Sequence, residues 1–212
     1  MPGLFDLSQQ ARSHPPPPSE KDYYATIGEF IVSYAQAECL VNQLGRKLSG
    51  LKEDKARILF AGMRFGDMKS RILAMLRISK RTQKTKKEIE VCLQHLDVIG
   101  LERDKMCHRS FAYEAWSVRI TNQLTAKSML EYEQDLFSLG DLLAMQLDCL
   151  KITIRISHVI NPALRREANK RFLHQIHGPW TYTPARQRTH KKGNRSPKTI
   201  AKLLLQQPPY LP

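Results

Sequence analysis

The chain has 212 residues, 42% of them hydrophobic, and its 34 lysines and arginines against 20 acids give a net charge of +14. That length suits one sizeable core with flanking segments, and apolar runs of only a few residues exclude a spanning helix, which needs about 20. Met1 to Ser13 lacks the basic, apolar and small-residue segments of a secretory leader, so a cytoplasmic protein with no membrane partner is expected.

The four consecutive prolines Pro15 to Pro18 enforce an extended conformation, and residues 1–18 read as an N-terminal arm. Ser19 followed by Asp22 predicts a helix start. Ile27, Ile31, Tyr34, Val41 and Leu48 form its apolar stripe, Glu38 interrupts that stripe, and Ser49-Gly50 ends it. A short helix is predicted over 52–61, and a third over 67–79 on Met68, Ile72, Leu73, Leu76 and Ile78.

Residues 80–87 are a basic connector into a fourth helix, predicted from about 86 to 108. Its inward stripe reads Ile89, Leu93, Leu96, Gly100, Arg103 and Cys107, widened by Cys92, Ile99 and Met106. The alternation of Trp116, Val118 and Ile120 with Ser117, Arg119 and Thr121 predicts a short extended insertion ending at Asn122. A fifth helix is predicted over 126–160, with Leu136, Leu139, Leu143, Leu147, Leu150, Ile154 and Ser157 on one face. Asn161-Pro162 breaks it, and a last helix runs from 162 to 177. The expected architecture is an all-α, up-and-down bundle over 19–177 with one short extended insertion before the last long helix. A basic tail at 178–212 is expected, on composition, to be flexible rather than packed.

Cys39, Cys92, Cys107 and Cys149 form no Cys-x-x-Cys motif and read as reduced core residues. His174 and His177 share a helix face without an acidic or cysteine partner nearby, so neither a metal nor a cofactor is expected.

Arg103-Asp104 and His108 close the fourth helix. Arg103 on an inward stripe needs a partner, and Glu38 on the first helix is the natural one, as a structural ion pair. Five residues put Arg103 and His108 about 140° apart around the axis, whereas Asp104 and His108 share a face. Cleaving RNA with its own 2′-hydroxyl needs a base, an acid and a cation on the phosphate. Histidine and arginine suit those tasks, and Asp104 can orient the imidazole.

The helix order, the glutamate in the first helix and Arg103-Asp104-x-x-x-His108 together resemble the HEPN superfamily of helical bundles. Its motif is an arginine, commonly followed by Asn, Asp or His, with a histidine after four to six intervening residues. The resemblance covers roughly residues 19–160; Arg109-Ser110 stands where many relatives carry a glycine after the histidine. It implies a metal-independent endoribonuclease in which Arg103 and His108 are catalytic, Asp104 supports them, and the motifs of two protomers form one composite site. It further implies a homodimer, a cyclic-phosphate product, a possible restraining protein partner, and a setting such as toxin action or phage defence.

The basic runs offer phosphate contacts. Arg77, Lys80, Arg81, Lys84, Lys86 and Lys87 stand without an acid between them, either as a solvated loop or as a rim guiding RNA to the cleft. In the tail, Arg186, Arg188, Lys191, Lys192 and Arg195 accompany Trp180 and Tyr182, a combination that neutralises phosphates and stacks on unpaired bases. The alternative to an enzyme is a non-catalytic helical module that binds nucleic acid or a protein through this tail.

Overall fold

The computed structural model describes residues 16–123, 125–127, 133–168 and 170–184. Among these described residues seven helices and three strands follow in the order α1 (Glu20–Ser49), α2 (Glu53–Phe60), α3 (Phe65–Ile78), α4 (Gln83–His108), β1 (Ser110–Glu114), β2 (Ser117–Thr121), β3 (Gln134–Phe137), α5 (Leu139–Ile160), α6 (Pro162–Glu167) and α7 (Lys170–Ile176). The mostly helical expectation stands, and no described helix is long and apolar enough to cross a membrane.

Local chemistry sets the helix ends. Ser19 and Asp22 form a reciprocal capping box at the start of α1, and Gly50 closes it in the left-handed conformation. Thr82 caps α4 by accepting from the Thr85 amide. Ser138 and Asp141 repeat the capping box at α5, which therefore starts at Leu139 and not near 126.

The expected extended insertion is a three-stranded antiparallel sheet in the order β1-β2-β3. Val118 pairs with Tyr113 and Phe137, and Ile120 with Phe111 and Asp135. Val118, Ile120 and Phe137 are buried in the core, while Ser117 and Arg119 lie on the other face. Leu136, expected on a helical stripe, is thus a half-exposed strand residue beside Arg119.

Helices α1 and α5 run in the same direction and make the most extensive packing in the molecule. Tyr23 lies by Leu139, Gln146 Nε2 donates to Glu29 Oε2 at 3.3 Å, and Lys47 Nζ donates to the Ile160 carbonyl. Helix α4 runs opposite to α5, with Glu88 by Arg155 and His95 by Asp148. It runs opposite to α3 too, with Lys86 donating to the Arg77 carbonyl and Lys69 paired with Asp97. The ends of α1, α3 and α5 and the start of α4 therefore share one end of the bundle. The sheet and the end of α4 occupy the other.

Three expectations about the core change. Helix α5 is covered by α1, α4 and the segment after α7, so its deepest apolar residues Leu142, Met145, Cys149, Ile152 and Ile156 lie beside the expected leucine stripe, of which Leu147 is buried and Leu139, Leu143 and Leu150 are partly buried. Cys107 is exposed and Glu102 is buried instead, beside Met106, which is buried as expected; Cys39 is exposed too, leaving only Cys92 and Cys149 of the four cysteines in the core. Ile78 is 86% exposed because it is the last residue of α3, where the chain turns away from the core. The single helix expected over 162–177 is two short ones.

Candidate functional site

The expected pair forms at the sheet end of α4. Arg103 Nη2 lies 3.7 Å from Glu38 Oε1, and Nη1 lies 3.0 Å from Asp104 Oδ1. The guanidinium sits over the Tyr34 ring, 4.6 Å from its centroid, a cation–π contact that adds to the ion pairs. Gly100 makes the approach possible: a Cβ there would fall 2.6 Å from Tyr34 Oη. Burial pushes the Tyr34 hydroxyl well above its usual range, with the Glu38 charge adding to the effect. Burial also raises the Glu38 carboxyl; Asp104 adds to this, while Arg103 opposes it. For Arg103, burial works against the charge, but the Tyr34 contact and Asp104 outweigh it and the net shift is upward.

His108 is the last residue of α4 and is exposed. The structure brings Arg103, Asp104, Glu38 and Tyr34 together but not His108, whose side chain makes no hydrogen bond or ion pair with them. On the other side of this helix end, Lys105 pairs with Glu102 at 2.8 Å and Asp135 at 3.1 Å, and Arg109 with Glu133 at 3.1 Å. These bonds tie α4 to β3 and fix the direction in which Arg103 and His108 leave it.

The basic connector is not a rim of this site. Lys87 and Arg103 are separated by 16 positions along α4, about 24 Å of helix. Arg186, Arg188, Lys191, Lys192 and Arg195 lie outside the described residues.

Trp180 and Tyr182 are described, and both are packed, so the segment from Gly178 to Pro184 belongs to the bundle rather than to a flexible tail. Tyr182 is buried. Trp180 stacks on His95 with centroids 4.3 Å apart and rings 6° from parallel, and the Arg155 guanidinium lies 4.3 Å from its centroid. With its ring engaged in this way, Trp180 is not the free stacking platform expected from sequence.

What straps this segment down is a polar set that sequence reasoning missed. Asp148, with no exposed surface, accepts from the Thr181 and Tyr182 amides at 2.8 Å, and pairs with His95 Nε2 at 2.9 Å and Lys151 Nζ at 3.1 Å. Burial alone would raise its carboxyl, but His95, Lys151 and the Tyr182 amide hold it below the usual range. Lys151 also donates to the Pro179 carbonyl and Thr181 Oγ1, both at 2.8 Å. Arg155 donates to the Ile176 and Gly178 carbonyls at 2.8 and 2.7 Å. Cys92 is inert beside it, its thiol pushed up to about 12 by burial. The available signal was spacing: Asp148, Lys151, Arg155 and His158 recur on one face of an otherwise apolar helix.

Next to the strap, His177 Nδ1 lies 3.1 Å from Glu88 Oε1, and the His158 and His177 ring centroids are 6.4 Å apart. Burial, then the His177 and Arg165 charges, lowers the His158 imidazole. Burial also lowers His177, against the pull of Glu88. Among the described residues no three His, Cys, Asp or Glu side chains gather as a metal site. Comparison of the chain with protein-family models, curated proteins and solved structures finds no match.

Proposed function

We propose that this chain is a HEPN-like endoribonuclease that needs no metal ion and whose active site is completed by a second copy of the chain. The observation that carries the reading is the contrast at the end of α4. Arg103 is held by the Tyr34 ring, Glu38 and Asp104, while His108, one turn beyond Asp104, is exposed and has no hydrogen-bond or ion-pair partner among the described residues. A fixed cation and an exposed imidazole, pointing apart on one helix, suit a site assembled from two such helix ends.

In this mechanism the His108 imidazole takes the proton of the ribose 2′-hydroxyl as the oxygen attacks the adjacent phosphorus. The new O2′–P bond forms, the P–O5′ bond breaks, and the leaving oxygen takes a proton from the imidazolium of the second protomer. Arg103 offers two donors to the non-bridging oxygens as charge accumulates. Asp104, on the His108 face, exchanges its contact with Arg103 for one that orients the imidazole.

A second reading rests on the two carboxylates that face Arg103. They neutralise it without any ligand, as a structural pair would, and the chain is then a helical binding module for nucleic acid or a protein. Incubating a mixed RNA pool with the purified protein in EDTA separates the two. The nuclease reading predicts cleavage leaving cyclic-phosphate ends, lost in both Arg103→Ala and His108→Ala. RNA bound and left intact, or cleaved equally by both variants, contradicts it.

A further inference from the structure

We infer that the end of the bundle opposite Arg103 is a sequence-independent docking surface for the phosphate backbone of nucleic acid, formed jointly by the α3–α4 connector and by α6 and α7. It deepens the proposed function only in taking nucleic acid as the ligand, and is independent of whether the chain cleaves it.

The two segments are remote in sequence and are joined by the antiparallel packing of α4 on α5. Glu88 lies one turn after Lys84, and it meets both Arg155 of α5 and His177 just after α7. His177 in turn feels the charge of Arg165 in α6. Around this junction Arg77, Lys80, Lys84 and Lys87 are exposed on one side, and Arg165, Arg166, Lys170 and Arg171 on the other. From Arg77 to Lys87 the sequence carries six basic residues and no acid, and from Pro162 to Gly178 four basic residues and one acid. The opposite end is mixed: Glu20, Asp22, Asp104, Glu114, Glu133, Asp135 and Asp141 stand among its lysines and arginines.

Arg77, Arg165 and Arg166 lie in the last turns of α3 and α6, where a helix dipole favours cations, but helix physics argues that the cations opening α4 are not placed for stability. The positive end of a helix dipole favours acids in the first turn, and α1, α2, α3 and α5 each carry at least one there. Helix α4 carries none and opens with Lys84 and Lys86. A cationic start to a 26-residue helix works against its own dipole, and a polyanion laid across it removes the conflict. The joined segments meet the backbone on two sides of Glu88, and among their described residues no Phe, Tyr or Trp ring is exposed to read a base.

The test is binding of a labelled oligothymidylate, which has no 2′-hydroxyl and survives any 2′-hydroxyl chemistry, to the full chain over a salt series. Lys80→Gln with Lys84→Gln, and separately Arg165→Gln with Arg166→Gln, should each weaken binding. The four changes together should raise Kd at least about tenfold and lower the slope of log K against log salt by about 0.7 per lost contact. A control with Lys21, Arg64 and Arg71 changed to Gln should stay within about twofold of wild type by the same reasoning. Circular dichroism should show the four-fold variant folded as wild type. Equal weakening in variant and control overturns the inference. So does binding that depends only on residues 185–212, or affinity for anionic vesicles with none for the oligonucleotide. Oligonucleotide binding with the predicted losses, alongside intact RNA in the cleavage assay, retires the nuclease reading and leaves this surface standing.

Discussion

The strap clamp and the Arg103 site meet the same cost, that of taking charged groups out of water, in opposite ways. Around Asp148 the bonds close on themselves: the carboxylate is satisfied by two amides, a histidine and a lysine, and the lysine's remaining donors reach a carbonyl and a hydroxyl. The Asp148 carboxylate and the Lys151 ammonium spend their bonds on the strap itself, which is the behaviour of a structural set. Around Arg103 the cluster is half-buried and stops short of His108, which is exposed and has no partner among the described residues. A closed polar network holds a fold, and an open one leaves chemistry available.

The comparison can be broken most directly at Asp148. Changing it to Ala leaves Lys151 and His95 buried without their counter-charge and frees the strap, so a loss of about 3–5 kcal/mol is expected in chemical denaturation. A loss below about 1 kcal/mol would mean that the clamp is a solvated surface pair instead. Gly100→Ala should cost less, about 1–3 kcal/mol, because the new Cβ would collide with the Tyr34 hydroxyl. It should lower RNA cleavage as well, since Tyr34 is the platform beneath Arg103. Unchanged cleavage would remove Tyr34 from the account.

Acid should find the strap before the Arg103 site. The folded pKa values of His158 and His177 lie below the ordinary 6.5. As pH falls through 6.5 the unfolded chain takes up protons that the folded one refuses, so stability declines from there down to the folded values. The melting temperature should drop between about pH 7 and 5, and His158→Gln should flatten that slope. A variant as steep as wild type would show that His158 does not report on the strap.

Much of the helical plan was legible because it is written locally. Ser19 with Asp22, Ser49-Gly50 and Asn161-Pro162 mark ends of α1 and α5 that side-chain chemistry sets within one turn, and the alternation around Val118 located β2. The start of α5 was misread because Gln134 to Phe137 has a helix-compatible pattern in isolation and becomes a strand only by pairing with β2; the Ser138–Asp141 box was the overlooked local sign. The Glu38–Arg103 pair was legible because each is a charge on an apolar stripe. The strap was not, because Asp148 finds its amides more than thirty positions away. The joining of the α6–α7 cations to the connector depends in the same way on how α4 and α5 cross.

The smallest expected change in stability belongs to the residue with the largest expected role. His108 is exposed at a helix end and has no side-chain partner among the described residues, so His108→Ala should alter stability by no more than about 0.5 kcal/mol. The decisive measurement is RNA cleavage in EDTA by this variant beside wild type, with melting curves of both. The account predicts superimposable melting and cleavage by the wild type alone; equal cleavage by the two proteins, or no cleavage by either while RNA is bound, would contradict it.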